Sequence, residues 1–217
     1  MSDFTTRRVM MVDTQVRPSD VTKFPIIAAM LAVPREMFVP EDQRAVAYVG
    51  LNIDFAAGRV MLEPRTLAKL LDFLDISPQD HVLDIGTGYG YAAAVLAEMG
   101  ADVVAVEADV AASSAARSRL ASAGLDRVRV VSGPLHDGAA TEGPFDVIVI
   151  EGGVETVPAG LVAQLKDGGR IGAIFMQGAL GTVRTGLKQD GVVDWRFAFN
   201  ATAPVLPGFA AARDFVL

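Results

Sequence analysis

Val82-Leu-Asp-Ile-Gly-Thr-Gly-Tyr-Gly-Tyr-Ala-Ala-Ala-Val-Leu-Ala97 joins an apolar strand to a glycine-rich turn and then to an apolar helix. Gly86, Gly88 and Gly90 stand at alternate positions. They let the backbone bend sharply and let a ligand approach main-chain atoms that a Cβ would shield. We read Asp84, Gly86, Thr87, Gly88, Tyr89 and Gly90 as a cofactor-binding turn. A dinucleotide fingerprint, G-x-G-x-x-G, would need its third glycine at position 91, which is Tyr91. The carboxylate of Asp84 at the mouth of the turn would repel a phosphate and suit a cation. S-adenosyl-L-methionine, with a sulfonium, an ammonium and no phosphate, matches that chemistry.

Asp102-Val-Val-Ala-Val-Glu107 reads as the next strand and ends in an acid 21 residues after Gly86. A carboxylate there accepts hydrogen bonds from both hydroxyls of an adenosine ribose. Glu107 alone leaves a nicotinamide cofactor, and with it an oxidoreductase, as the competing reading; Asp84 and Tyr91 tip the choice to the methyl donor.

The 217 residues suffice for one sizeable core, and a hydrophobic share of 51% predicts a packed fold rather than disorder. A net charge of −7 without a basic stripe argues against a nucleic-acid partner. The absence of cysteine removes disulfides and thiolate metal sites and agrees with a reducing cytoplasm, and two histidines, His81 and His136, do not make a zinc cluster. We therefore expect no metal. The apolar run from Val9 to Val12 is stopped by Asp13, too short for a signal peptide, and no apolar run reaches the roughly 18 residues of a membrane span. We expect a cytoplasmic protein; its oligomeric state is not legible here.

From residue 78 onward short apolar strands alternate with helices, the pattern of an α/β fold with a mostly parallel sheet. Strands are predicted at His81–Ile85, Asp102–Glu107, Arg127–Val131, Phe145–Ile150, Arg170–Phe175, Val192–Phe199 and Ala211–Leu217, at least one of the last two antiparallel. Helices are predicted from Asp109 to Ala123 and from Pro158 to Lys166. Residues 1–77 read as an N-terminal helical and loop cap on the core of 78–217, with Leu67, Leu70, Leu71 and Leu74 forming one apolar helix face after Pro64. Tyr48 to Leu62 has no helical period and reads as a loop or hairpin over the ligand edge of the sheet.

Several blocks together resemble the protein-L-isoaspartate (D-aspartate) O-methyltransferase family. They are Met11-Val-Asp-Thr-Gln-Val16, Val33-Pro-Arg-Glu-Met-Phe-Val-Pro40, Ala47-Tyr48, Asp84-Ile-Gly-Thr-Gly-Tyr-Gly-Tyr-Ala-Ala93, Pro144-Phe-Asp146 and Gln164-Leu-Lys-Asp-Gly-Gly-Arg170. The resemblance implies a Rossmann-like methyltransferase fold, S-adenosyl-L-methionine as donor, and as acceptor the isoaspartyl carboxylate of a damaged peptide or protein. It also implies that Ala108 after Glu107, and Gly133, Pro134 and Leu135 after the third strand, lie at the cofactor. An acceptor carboxylate is already ionised at neutral pH and needs no general base, so no catalytic residue is assigned.

Two departures accompany the resemblance. Where the family carries a serine thought to contact the acceptor, Val60-Met-Leu-Glu-Pro64 places Leu62, which has no donor. Arg59 or Arg65 would be a substitute anchor, although we read both as solvated loop arginines. Where the family carries Gly-Asp-Gly, Gly133-Pro-Leu135 lacks the acid that reaches the adenine, and Asp137 reads as an ordinary turn residue. These departures leave open a different acceptor, or cofactor binding without catalysis. Ala203-Pro-Val-Leu-Pro-Gly-Phe209 reads either as a lid or partner surface or as a crossover that buries Leu206 and Phe209.

Overall fold

The computed structural model describes residues 4–212. Helices α1 (Phe4–Met11) and α2 (Phe24–Ala32) precede a hairpin of β1 (Ile53–Ala56) and β2 (Arg59–Met61), and then α3 (Pro64–Leu74). The alternating part runs β3 (His81–Ile85), α4 (Tyr91–Glu98), β4 (Asp102–Glu107), α5 (Val110–Ser122), β5 (Arg129–Ser132), β6 (Phe145–Val154), α6 (Ala159–Gln164), β7 (Leu165–Gln177), β8 (Leu180–Gln189) and β9 (Val192–Asn200). Seven strands form one sheet in the order β5-β4-β3-β6-β7-β8-β9. It is parallel from β5 to β7, and β8 runs antiparallel to both its neighbours. The chain winds outward from β3 through β4 to β5 and then crosses back to β6. That reversal opens a crevice at the carboxyl ends of β3 and β6, where open α/β sheets bind ligands.

The central strands β3, β4 and β6 are buried on both faces, which is why they read as nearly unbroken apolar runs. Val82, Val103, Ala105, Val147 and Val149 face the layer of α1 to α4. Their alternates Leu83, Val104, Val106, Ile148 and Ile150 face Leu161 of α6 and Leu206 and Phe209 of the C-terminal segment. Pro64 starts α3 without sacrificing a needed N–H, and Leu67, Leu70, Leu71 and Leu74 all point into the core. Gly172 of β7 makes room for that face, since a Cβ there would lie 2.6 Å from Leu70 Cδ1. Asp109 caps α5 by accepting from the Ala112 N–H at 2.7 Å. No helix among the described residues is long and apolar enough to cross a membrane.

Strand β8 is absent from the sequence-based prediction. Its segment, Leu-Gly-Thr-Val-Arg-Thr-Gly-Leu-Lys-Gln, has two glycines that weaken the strand signal. Gly186 is nevertheless required, because a Cβ there would collide with Val193 and crowd Trp195 on the neighbouring strand. The strand expected at Ala211–Leu217 falls largely on 213–217, outside the described residues. β5 begins at Arg129 rather than Arg127, and β6 continues past Ile150 to Val154.

That extension of β6 anchors the C-terminal segment. The Gly153 N–H donates to the Pro204 carbonyl at 2.8 Å, and the Leu206 N–H returns a bond to the Gly153 carbonyl at 2.8 Å. A Cβ on Gly153 would sit 2.5 Å from the Ala203 carbonyl oxygen, a backbone atom that cannot rotate away. Gly153→Ala is expected to lower the unfolding free energy by about 1–3 kcal/mol in urea titrations. Gly160→Ala, in α6 with open space at its Cβ, should be neutral or slightly stabilising.

Candidate functional site

The glycine turn lies at the crevice, and its backbone explains its composition. Gly86, Gly88 and Gly90 have φ of +83°, +56° and +94°, the left-handed region that favours glycine. The N–H groups of Gly86 and Thr87 donate to the Val106 carbonyl at 2.9 and 3.3 Å, tying the turn to the end of β4. Gly90 serves packing, since its Cα faces Leu120 and Ala116 of α5. Tyr89 lies between the Phe55 ring, at 5.3 Å, and the Arg119 guanidinium, at 4.0 Å.

Glu107, at the tip of β4, is fully buried and saturated with donors. Its Oε2 accepts the Gly88 N–H at 2.8 Å and its Oε1 the Asp109 N–H at 3.0 Å. Arg59 of β2 adds a bidentate pair, Nη1 to Oε1 and Nη2 to Oε2, each at 2.7 Å. The reading of Arg59 as a solvated loop arginine is therefore corrected: it is 6% exposed and also bonds the Gly86 carbonyl at 3.2 Å. Hairpin pairing forces this, because β1 and β2 bring Arg59 beside Phe55, with the guanidinium 5.2 Å from the ring centroid. Phe55 in turn covers Gly88, whose Cβ, if present, would be 2.8 Å from the ring. Arg65, by contrast, keeps an exposed side chain 3.8 Å from Glu63.

Asp84 is fully buried across the crevice from Glu151 at the carboxyl end of β6. Neither Asp84 oxygen receives a hydrogen bond from any N–H or hydroxyl of the described residues, and the Thr87 hydroxyl and Glu151 Oε1 are likewise unpartnered. Burial pushes Asp84 up to about 6, and burial followed by the Asp84 charge pushes Glu151 well above the usual carboxylate range. Glu151 was missed at the sequence level, yet a lone acid after Val-Ile-Val-Ile at a strand's carboxyl end is a legible signal.

Ala108, Gly133, Pro134 and Leu135 come together, with Pro207 and Gly208 opposite, around a cleft of about 360 Å³. Asp137 has a 65% exposed side chain and stays a turn residue. A larger cavity of about 640 Å³ lies elsewhere, at Leu51, Glu63 and Leu180, and includes none of the predicted cofactor residues. Leu62 is completely buried, and its carbonyl accepts from Arg35 Nη2 at 2.8 Å. Arg35, itself fully buried, also bonds the Ala47 carbonyl at 2.8 Å and lies 4.6 Å over the Tyr91 ring. It clamps the segment before α3 to the glycine-turn helix. The C-terminal segment is both a buried crossover and a cover: Leu206 and Phe209 are buried, and Leu206 lies over Gly86 and Gly152.

The family model for protein-L-isoaspartate (D-aspartate) O-methyltransferase matches residues 8–178. The chain belongs to this family. A relative from Methylorubrum extorquens named protein-L-isoaspartate O-methyltransferase is 40% identical over 164 residues, 76% of this chain and 72% of the relative. A solved protein-L-isoaspartate O-methyltransferase superposes with a TM-score of 0.80 at 23% identity, covering 95% of this chain and 66% of that one. A second solved structure, a candidate family member from Plasmodium falciparum in complex with S-adenosyl-L-homocysteine, gives 0.78 at 16% identity, covering 95% and 99%. At these identities the two structures show the fold alone, the Rossmann-like methyltransferase fold. Family membership makes this chain an S-adenosyl-L-methionine-dependent O-methyltransferase.

Proposed function

We propose that the crevice between β3 and β6 binds S-adenosyl-L-methionine and methylates an isoaspartyl carboxylate in damaged peptide or protein, as a repair activity placed in the cytoplasm. The observation that carries the cofactor site is the buried Asp84 carboxylate with two unpartnered oxygens beside the glycine turn. An anion left without donors in the core is complementary to a cationic ligand. The remaining donor set agrees. Glu107, once Arg59 withdraws, offers two oxygens to a pair of vicinal hydroxyls, and the 360 Å³ cleft bounded by Ala108 and Gly133 to Leu135 offers apolar walls to a base. The space over Gly86 and Gly88 is filled by Arg59, Phe55 and Leu206, so binding requires those side chains to withdraw.

When bound, the cofactor supplies an electrophilic methyl group. The chain's own residues bind, orient and exclude water, and no proton has to leave the acceptor before attack. Leu62 cannot anchor the acceptor, because its side chain is inside the core. That observation favours a second reading, the same cofactor with another acceptor.

Calorimetry with S-adenosyl-L-homocysteine, followed by transfer of a labelled methyl group to an isoaspartyl peptide, separates the readings. Saturable binding with transfer is expected. Binding without transfer overturns the acceptor, and absence of binding overturns the cofactor site.

A further inference from the structure

Resting on the cofactor reading above, we propose that the hairpin of β1 and β2 is an internal latch on the cofactor site, with Arg59 held by the carboxylate that a ribose would use. Four donors surround Glu107, and two of them, Arg59 Nη1 and Nη2, come from the hairpin. The other two are backbone N–H groups of the turn itself and of Asp109, which remain in place whatever the hairpin does. Only the Arg59 pair therefore competes with ligand hydroxyls. The same hairpin sets Phe55 on Gly88, so one element blocks both the carboxylate and the glycine surface.

The outer part of the hairpin, Asp54 to Arg59, is the part that lifts, since Ile53, Val60 and Met61 are packed in the core. β1 and β2 pair only with each other and take no part in the main sheet, so lifting them breaks no ladder bond of the core. Their tip, Ala56 to Gly58, is exposed, and Gly58 has a φ of +67°. The base is pinned: Asn52 Nδ2 donates to the Thr202 carbonyl at 3.0 Å, and Asn52 Oδ1 accepts the Glu63 N–H at 2.8 Å. Arg35 holds Leu62 just beyond β2. A fixed base and an exposed tip place the hinge inside the hairpin, after Ile53 on one strand and before Val60 on the other.

A buried ion pair is a suitable catch, because its Coulomb attraction is largely offset by the hydration both groups regain on opening. With the closed state dominant, the apparent dissociation constant equals the intrinsic one divided by the open fraction, so weakening the catch tightens binding. Hydroxyl groups that replace the guanidinium on Glu107 then stabilise the open state.

The test is calorimetric titration of S-adenosyl-L-homocysteine into the full chain and into Arg59→Gln and Phe55→Ala, with amide exchange of residues 53–61 followed in parallel. Arg59→Gln is expected to bind at least about tenfold more tightly although it is less heat-stable. Phe55→Ala, half-buried and uncharged, should bind a few-fold more tightly with little change in stability and keeps the test valid if Arg59→Gln does not fold. Ligand should speed exchange of the hairpin amides in the wild type. Equal or weaker binding by the variants, with the wild type binding, would overturn the latch and leave the cofactor reading standing. Failure of wild type and both variants to bind would overturn both.

Discussion

Replacing Arg59 by methionine is expected to lower the unfolding free energy of the free chain by about 3 kcal/mol, read from urea denaturation. The change removes the bidentate partner of a fully buried carboxylate while keeping most of the side-chain volume. Breaking a buried ion pair from one side costs more than the pair contributes, because the surviving charge has lost its compensation. The loss stays at the lower end of that range because the Gly88 and Asp109 N–H groups still hold Glu107. Glu107→Gln added to Arg59→Met should recover only part of the deficit, since its amide nitrogen cannot accept from the Gly88 or Asp109 N–H, giving a coupling energy of about 1 kcal/mol in the double-mutant cycle. An additive cycle would mean that Arg59 contributes only through packing on Phe55.

Acidification is expected to stabilise the chain through Asp84 and Glu151. Both carboxyls have native values above their unfolded ones, Asp84 rising from 3.8 to about 6. The native state then binds more protons than the unfolded state, so the unfolding free energy falls as pH rises. The favourable contribution is full below 3.8 and is lost as pH passes through about 6, an effect on the order of 3 kcal/mol for Asp84. Glu151→Gln supplies an amide donor to the Asp84 carboxylate and should raise the melting temperature at pH 8, leave it nearly unchanged at pH 5 and flatten the slope between them. A slope that survives in Glu151→Gln would assign it to groups other than this pair. The same orphaned carboxylate gives a cationic ligand its stabilising partner, so ligand and low pH should raise the melting temperature less than additively.

The parallel core was legible because burial on both faces leaves period and composition unambiguous. His81–Ile85 and Asp102–Glu107 fall where the sequence predicts them. β8 was not, because Gly186 answers to Val193 and Trp195 and Gly181 to the Ala201 carbonyl and Met176, neighbours set by pairing rather than by local preference.

The candidate site divides along the same line. The three glycines, Asp84 and Glu107 lie within one strand-turn-helix-strand unit, so their spacing alone brings them together. Arg59, 48 residues before Glu107, meets it only because the hairpin folds over the turn. Glu151 meets Asp84 only because β6 pairs with β3. By itself the sequence determined the fold class and the family, both of which rest on local order along the chain. Tertiary structure alone decided that the turn is covered by Arg59, Phe55 and Leu206 and that Asp84 is desolvated beside Glu151, because burial and long-range pairing fix where a charge is desolvated and which partner reaches it.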